Sequence, residues 1–200
     1  MDPKKKKEYL SSGHAALKMS GEPLLLHICC GPCGSGCLPR LKDRRVVLYY
    51  SNSNIGTREE YERRLDSVRI LAEAYGVELE TDPYDHEAWL AHISRLENAA
   101  DCPERGARCA LCFAFSLERT ARRAAELGMN FATTLTVSPH KRSDVIFAAG
   151  ARYARFEAID FKKKDGFLLS LRESARLGLY RQRFCGCEFS ARASGEDVAV

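Results

Sequence analysis

Short apolar runs alternate along the chain with segments whose apolar residues recur at helical intervals. The runs that predict strands are residues 23–28, 46–50, 77–81, 131–137 and 153–159. The helical patterns are residues 57–75, 85–96, 109–127 and 166–177, and Gly76 and Gly128 stand where C-capping glycines are expected. Ser138 and Pro139 predict the start of a further helix. Residues 29–36 are rich in Gly, Pro and Cys and predict a turn.

This alternation predicts an α/β fold with a mainly parallel sheet flanked by helices. We expect a Lys-rich N-terminal extension at residues 1–22 and a single α/β catalytic domain at residues 23–200. Sites in such folds form at the carboxyl ends of the strands. A cysteine group follows the first predicted strand, residues 51–54 follow the second and Ser138 follows the fourth. These loops are expected to converge at one edge of the sheet.

Composition and charge narrow the class of protein. Apolar residues make up 45% and charged residues 29% of the 200 residues, as in ordinary soluble domains. No apolar run approaches the roughly 20 residues of a membrane span, and no secretory signal is evident, so a cytoplasmic protein without membrane contact is predicted. The net charge is +4, and residues 161–184 carry seven basic side chains against two acidic ones. This excess indicates either a polyanionic partner or a solvated basic face.

Nine cysteines are many for a chain of this kind, and their number is odd. In a reducing compartment, clustered cysteines are more often metal ligands or catalytic thiols than disulfides. Seven of them form three groups: Cys29, Cys30 and Cys33; Cys109 and Cys112; Cys185 and Cys187. Seven thiols exceed the four ligands of one zinc ion and favour an iron–sulfur cluster with something extra, although structural zinc stays open. Cys37 and Cys102 receive no role.

Other residues suggest less specific roles. His140 follows Ser138 near the expected site and is the best histidine for proton transfer, whereas Trp89 is most simply a core residue. Neither a Gly-x-Gly-x-x-Gly fingerprint nor a Walker A loop follows the first strand. The pyrophosphate loop of ATP-dependent tRNA thiolases is also absent, because Cys-Cys-Gly-Pro-Cys stands in its place.

Six ordered segments carry a resemblance to one family. They are LHICCGPC at 26–33, SNI at 53–55 with EYERRL at 60–65, RCALCF at 108–113, TTLTVSP at 133–139, FKK at 161–163 and YRQRFCGCEFS at 180–190. Together they resemble the cobalamin-independent epoxyqueuosine reductases. The resemblance runs from about residue 24 to residue 190, and the last segment is its most specific part.

The resemblance implies an HUP-like (adenine nucleotide hydrolase-like) topology and the last step of queuosine biosynthesis. In that step the epoxide of epoxyqueuosine, at the anticodon wobble position of tRNA, is reduced to the alkene. The resemblance also implies a 4Fe-4S cluster and an adjacent mononuclear metal ion, expected to be iron. The expected cluster ligands are Cys30, Cys109, Cys112 and Cys187. The expected ligands of the second metal are Cys29, Cys33 and Cys185.

The implied reaction needs two electrons, two protons and a Lewis acid for the departing oxygen. An external electron donor is therefore expected. The proton donors are expected among Tyr180, His140, Ser138 and Thr133. Contacts with the tRNA anticodon loop are expected from Lys141, Arg142, Arg181, Gln182 and Arg183. Two alternatives stay open: an iron–sulfur tRNA sulfur-transfer enzyme, and a zinc-stabilised nucleic-acid-binding module without catalysis.

Overall fold

The computed structural model describes residues 21–195, apart from the side chains of residues 193 and 194. Its sheet has four parallel strands in the order β3-β2-β1-β4. The strands are β1 (Gly21–His27), β2 (Arg44–Tyr50), β3 (Glu78–Thr81) and β4 (Asn130–Thr133). The predicted α/β class and parallel sheet are confirmed. The predicted extension lies outside the described residues, except that Gly21 and Glu22 already belong to β1.

Seven α-helices and two short 3₁₀ helices accompany these strands in the described part of the chain. The α-helices are α1 (Gly31–Cys37), α2 (Arg58–Tyr75), α3 (His86–Ile93), α4 (Ala107–Leu127), α5 (Ser143–Gly150), α6 (Gly166–Arg176) and α7 (Glu188–Ser194). The 3₁₀ helices are Leu38–Arg40 and Thr134–Val137. None of the helices within residues 21–195 has the length and apolar character needed to cross a bilayer.

The two faces of the sheet are covered by different helices because side chains alternate along a strand. Leu24 and Leu26 of β1 pack on one face, with Leu65 and Leu71 of α2 among their cluster. On the opposite face, Leu25 of β1 belongs to a cluster with side chains of α4 and α5. A third, smaller cluster surrounds Trp89 of α3 and includes Cys187. The layers leave the carboxyl ends of the strands free to form a site.

The predicted ends of α2 and α4 are confirmed. Thr57 is the N-cap of α2, where its hydroxyl oxygen accepts the Glu60 N–H at 3.3 Å. Gly76 and Gly128 end α2 and α4 in the left-handed conformation, with φ values of 61° and 67°. Such backbone angles favour glycine because it has no Cβ.

The turn predicted at residues 29–36 is wrong, because α1 begins within it at Gly31. Its N-cap is Cys30, and a proline lies in its first turn, where a missing N–H costs nothing. The glycines serve close packing instead of a turn. A Cβ on Gly31 would lie 2.8 Å from the backbone oxygen of Ser67, and one on Gly34 would lie 2.7 Å from Leu71. The glycines therefore let α1 approach α2.

The predictions after residue 133 are only partly right. Strand β4 ends at Thr133, whose hydroxyl accepts the Leu135 N–H at 3.1 Å and starts the 3₁₀ helix in place of the predicted strand residues. Ser138 is not a helix N-cap, because α5 begins at Ser143 after a turn. The strand predicted at 153–159 is reduced to one bridge between Phe131 and Phe156. Since β4 leaves the sheet so early, it offers too little edge to pair a longer segment.

Candidate metal and substrate site

Cys29, Cys30 and Cys33 lie together where β1 passes into α1. Their sulfur atoms are all within 4.8 Å of one another. Within residues 21–195 this is the one group of three or more Cys, His, Asp or Glu ligand atoms that is so compact. The short link from strand to helix brings the three sulfurs together, because Cys30 caps the helix and Cys33 lies in its first turn.

Hydrogen bonds distribute negative charge unevenly among these three thiols. Hydrogen bonds from Cys29 and Cys33 hold the pKa of Cys30 well below its ordinary value. Hydrogen bonds with Cys29 and Cys30 raise the pKa of Cys33 well above its ordinary value. The Cys33 N–H also donates to Cys30 Sγ at 3.4 Å, and the Thr134 hydroxyl donates to Cys29 Sγ at 3.3 Å. Among these three thiols, Cys30 is therefore the one whose anionic form the surrounding donors favour most.

The other four of the seven clustered cysteines form a second group that faces the first. Cys109 and Cys112 lie one turn apart on α4, and Cys185 and Cys187 lie just before α7. Burial, followed by the nearby charge of Cys185, raises the pKa of Cys112 well above its ordinary value. The same two causes raise the pKa of Cys187 to about 12. The four sulfurs are close enough for their charges to interact, so a cation would relieve an unfavourable arrangement.

Two basic side chains lie between the thiol groups. Burial lowers the pKa of the Lys141 ammonium, but the charges of Cys185, Cys29 and Cys33 outweigh this effect and raise it overall. Arg64 is 2% exposed and interacts electrostatically with both Cys30 and Cys185. Both cations stabilise thiolates, which are the forms that bind metals.

The loop that carries Cys185 is anchored by its backbone. Arg64 Nη1 donates to the Cys185 carbonyl at 2.8 Å and Nη2 to the Phe184 carbonyl at 3.3 Å. Arg64 Nε donates to Glu60 Oε1 at 2.6 Å. On the other side, the Ser190 hydroxyl oxygen accepts the Cys185 N–H at 3.0 Å and donates to Glu104. These contacts fix the position of the Cys185 thiol relative to α2.

A cavity of about 350 Å³ opens beside the thiols, and a narrow space of about 20 Å³ lies behind it. The cysteines that line the larger cavity are Cys33, Cys109 and Cys185. Its polar lining is mainly basic and includes one acidic residue: Glu104, Arg105, Ser138, His140, Lys141, Arg142, Ser170, Arg181, Gln182, Arg183 and Ser190. Phe113, Phe167 and Phe184 add aromatic surface. This volume falls within the range of small-molecule sites, and the lining suits an anionic or polar ligand with a planar part.

His27 does not line the large cavity, but it connects the strand ends that carry the site. Its Nε2 lies 3.1 Å from the Ser51 carbonyl, and its Nδ1 lies 2.8 Å from Thr133 Oγ1. Because a carbonyl only accepts, Nε2 carries the hydrogen and Nδ1 accepts from the Thr133 hydroxyl. Burial lowers the pKa of His27 and keeps it neutral. The imidazole therefore ties together the ends of β1, β2 and β4.

The residues expected to transfer protons differ in their surroundings. Ser138 and His140 line the large cavity. Tyr180 and Thr133 line neither space: the Tyr180 hydroxyl donates to the Glu60 carboxylate at 3.1 Å, and the Thr133 hydroxyl contacts His27. His140 Nδ1 accepts from Arg105 Nη2 at 2.9 Å, which leaves the hydrogen on Nε2.

The residues expected to contact tRNA all line the large cavity, but two of them also serve the thiols. Lys141 interacts with the thiolate charges, and Gln182 hydrogen bonds to Cys30. Arg181 donates to the Ser174 hydroxyl at 3.1 Å on α6. All three arginines, Arg142, Arg181 and Arg183, are exposed, and Arg142 pairs with Asp144. The exposed arginines are therefore the ones best placed for phosphate contacts.

The seven thiols fit a soft metal or an iron–sulfur cluster. Cysteine sulfur is the donor that such centres prefer, and the buried thiols need a cation to stabilise their charge. The compact group could hold one metal through Cys29, Cys30 and Cys33, while Cys109, Cys112, Cys185 and Cys187 supply four further sulfurs. The division of these ligands between two centres stays a prediction.

Sequence reasoning missed Arg64 and underestimated Trp89. Arg64 follows Tyr61 by three residues and precedes Val68 by four, so it lies on the apolar stripe of α2. A charged residue at a core position of an amphipathic helix was the available signal. For Trp89 the sequence offers no such signal, because a buried tryptophan is ordinary in a core.

Comparisons with known proteins identify the family of this chain. The family model described as Epoxyqueuosine reductase QueH matches residues 24–193. Proteins named epoxyqueuosine reductase QueH from Streptococcus pyogenes and Thermotoga maritima are each 32% identical to the chain. The alignments cover 88% of this chain and 72% of the first relative, and 84% of this chain and 89% of the second.

Among solved structures, NMN synthetase from Francisella tularensis matches with a TM-score of 0.50 and 11% sequence identity, over all of this chain and 89% of that one. This likeness concerns the fold alone and confirms the HUP-like topology. The family match extends from β1 into α7 and so includes all seven clustered cysteines. The chain therefore belongs to the epoxyqueuosine reductase QueH family of oxidoreductases.

Proposed function

We propose that this chain reduces the epoxide of epoxyqueuosine at the wobble position of tRNA to the alkene of queuosine, with loss of the oxygen as water. The observation that carries the proposal is the convergence of seven motif cysteines beside a basic cavity at the carboxyl edge of the sheet. A redox centre held by these thiols would therefore adjoin a cavity with many basic residues, as this reaction requires.

We infer that the thiols hold a 4Fe-4S cluster and an adjacent mononuclear metal ion, expected to be iron. When bound, these groups supply electrons one at a time and a Lewis acid for the epoxide oxygen. Cys30, Cys109, Cys112 and Cys187 are the proposed cluster ligands. The proposed ligands of the single ion are Cys29, Cys33 and Cys185. The soft donor set and the flanking charges of Lys141 and Arg64 support this inference.

The cavity suits a modified base that has left its stack. Phe113 and Phe184 provide aromatic surface against which a flipped base can stack. Exposed Arg142 and Arg183 at its rim are proposed to bind backbone phosphates of the anticodon loop. Gln182 lies deeper, where it hydrogen bonds to Cys30. It is proposed to contact the base instead of the backbone.

The protons are proposed to come from groups that face the cavity. His140 carries its hydrogen on Nε2 and lines the cavity together with Ser138. Thr133 and Tyr180 are proposed to support the site from outside the cavity, since their hydroxyls already contact His27 and Glu60. The electrons are proposed to come from an external donor. A cytoplasmic location is proposed because the substrate is a tRNA.

Expression of the chain in bacterial cells blocked at epoxyqueuosine tests the proposal. Nucleosides from digested tRNA are separated by chromatography and identified by mass spectrometry. Queuosine is expected to appear while epoxyqueuosine disappears, and a Cys112→Ser variant is expected to leave epoxyqueuosine in place. Accumulation of folded wild-type protein without any queuosine would contradict the proposed reaction.

Metal analysis of anaerobically purified protein separates the alternatives. Iron with acid-labile sulfide is expected for a reductase and also for a sulfur-transfer enzyme. One zinc ion without iron would instead support a zinc-stabilised nucleic-acid-binding module. The nucleoside assay then distinguishes the two iron-dependent functions, because only the reductase removes the epoxide.

A further inference from the structure

Trp89 lies behind the second thiol group in a small apolar cluster. It is the largest fully buried side chain, with 0% exposure, and it belongs to α3. Its cluster contains Cys187 and Ile93, and Cys112 and Phe115 pack against them. Asp85 caps α3 by accepting the Ala88 N–H at 2.9 Å, which holds the first turn of this short helix in place.

The indole nitrogen of Trp89 is buried and has no hydrogen-bond partner, sulfur included, among residues 21–195. A buried N–H without a partner is costly, so its surroundings are informative. Cys112 packs against the same apolar cluster, so its thiol is a neighbour of the indole. Burial raises the pKa of the Cys112 thiol, and the nearby indole acts in the opposite direction. The N–H therefore lies where it can serve an anionic sulfur.

A donor in this position acts differently on the two redox states of a metal centre. Reduction adds an electron without adding a proton, and part of the new charge resides on the ligand sulfurs. A hydrogen bond to sulfur becomes stronger as that charge grows. It consequently stabilises the reduced state and raises the reduction potential. An aromatic ring without an N–H fills the same space but lacks this effect.

We propose that the Trp89 indole N–H donates a hydrogen bond to metal-bound Cys112 sulfur and thereby raises the reduction potential of the centre. This inference rests on the proposed function, because it requires a redox metal bound to Cys112. Trp89 is a positioning and tuning residue, since it acts through the thiolate and not on the substrate. A role in core packing alone predicts that phenylalanine replaces it without change in potential.

The test is a redox titration of anaerobically purified wild-type and Trp89→Phe protein. Dithionite supplies single electrons through mediators, and absorbance and electron paramagnetic resonance follow the centre. Trp89→Phe is expected to keep the iron and sulfide content while the midpoint potential moves to a more negative value. Phe115→Leu is the matched control, because it disturbs the same apolar cluster without removing a donor. Its potential is expected to match the wild type.

A second variant keeps the test decisive if Trp89→Phe loses iron. Replacement of Trp89 by 3-benzothienylalanine exchanges the N–H for sulfur with almost no change in shape. A more negative potential in this variant supports the inference. An unchanged potential in either iron-loaded variant, or an equal shift in Phe115→Leu, overturns it while leaving the proposed function intact. Wild-type protein free of iron overturns both.

Discussion

The buried guanidinium of Arg64 joins the helix α2 to the Cys185 loop. It neutralises Glu60, donates to two loop carbonyls and interacts with charges in both thiol groups. One side chain therefore links the fold of α2 to the geometry of the metal ligands. Arg64 matters for stability and for ligand placement at once, because its removal leaves two carbonyls without this donor and the largely buried Glu60 carboxylate without its cation.

Replacement of Arg64 by methionine is expected to destabilise the protein strongly. The Arg64 side chain is 2% exposed and that of Glu60 is 13% exposed. Breaking a buried pair of this kind typically costs about 3 kcal/mol or more. Urea unfolding measures the loss. Arg69→Met on the same helix is the control: its ion pair with Asp66 is more than half exposed, so a change below about 0.5 kcal/mol is expected. Equal losses in the two variants would contradict this account.

Two cysteines test which thiols hold metal. Cys112→Ser is expected to lose most of the bound iron, because a serine hydroxyl is a poor ligand for soft centres. Cys37→Ser is expected to keep it, because Cys37 is fully buried in the core and its thiol donates to the Cys33 carbonyl at 3.4 Å. Iron and sulfide analysis of both purified variants checks this pair. A Cys37→Ser protein without iron would show that the ligand set is wrong.

At the scale of elements, close packing of α1 against α6 depends on small residues. A Cβ on Gly36 would lie 2.7 Å from the backbone oxygen of Gly166 and 2.8 Å from Ser170 Cβ. Backbone atoms cannot yield as a flexible side chain can. The approach of these two helices matters for function, because α1 carries Cys33 and α6 supplies the wall of the cavity through Phe167 and Ser170.

Gly36→Ala is therefore expected to destabilise the protein by about 2 kcal/mol through overpacking. Gly76→Ala is the comparison, since its Cβ would meet nothing within 4 Å and only its φ of 61° is unfavourable. That change is expected to cost about 1 kcal/mol. Thermal and urea unfolding measure both. A Gly36→Ala variant as stable as the wild type would contradict the packing argument.

The same helices show which features of the fold could be predicted from the sequence. The caps of α2 and the glycine ends of α2 and α4 could be predicted because local hydrogen bonds and backbone angles decide them. The helix α1 could not, because its glycines are explained by contacts with distant residues such as Ser67. The seven clustered thiols were predictable from spacing and motif. The links through Arg64 and Trp89 were not, because they depend on tertiary packing.

At the scale of the whole molecule, basic side chains are concentrated around the cavity, although the net charge of the chain is only +4. Exposed Arg142 and Arg183 lie at the rim of the cavity, and the cysteine thiols line it beside Lys141. A polyanion is attracted to the rim, and its released counterions make binding dependent on salt. On the proposed function, this arrangement would orient the anticodon loop toward the thiols.

Arg183→Gln is expected to weaken tRNA binding and to reduce the slope of log affinity against log salt by about 0.7, which corresponds to one phosphate contact on a single strand. Arg122→Gln is the matched control, because Arg122 is an exposed arginine on α4 that does not line the cavity. Its slope is expected to equal the wild-type slope. Binding measured by fluorescence anisotropy at several salt concentrations checks both. A reduced slope in Arg122→Gln alone would contradict the proposed rim.

The most direct test of the central claim is conversion by the purified protein. Anaerobically purified, iron-loaded protein is incubated with a strong reductant and tRNA that carries epoxyqueuosine, and the nucleosides are then analysed by mass spectrometry. The account predicts that epoxyqueuosine loses one oxygen atom and becomes queuosine, with wild-type protein but not with Cys112→Ser. No conversion by wild-type protein with an intact metal centre would contradict it.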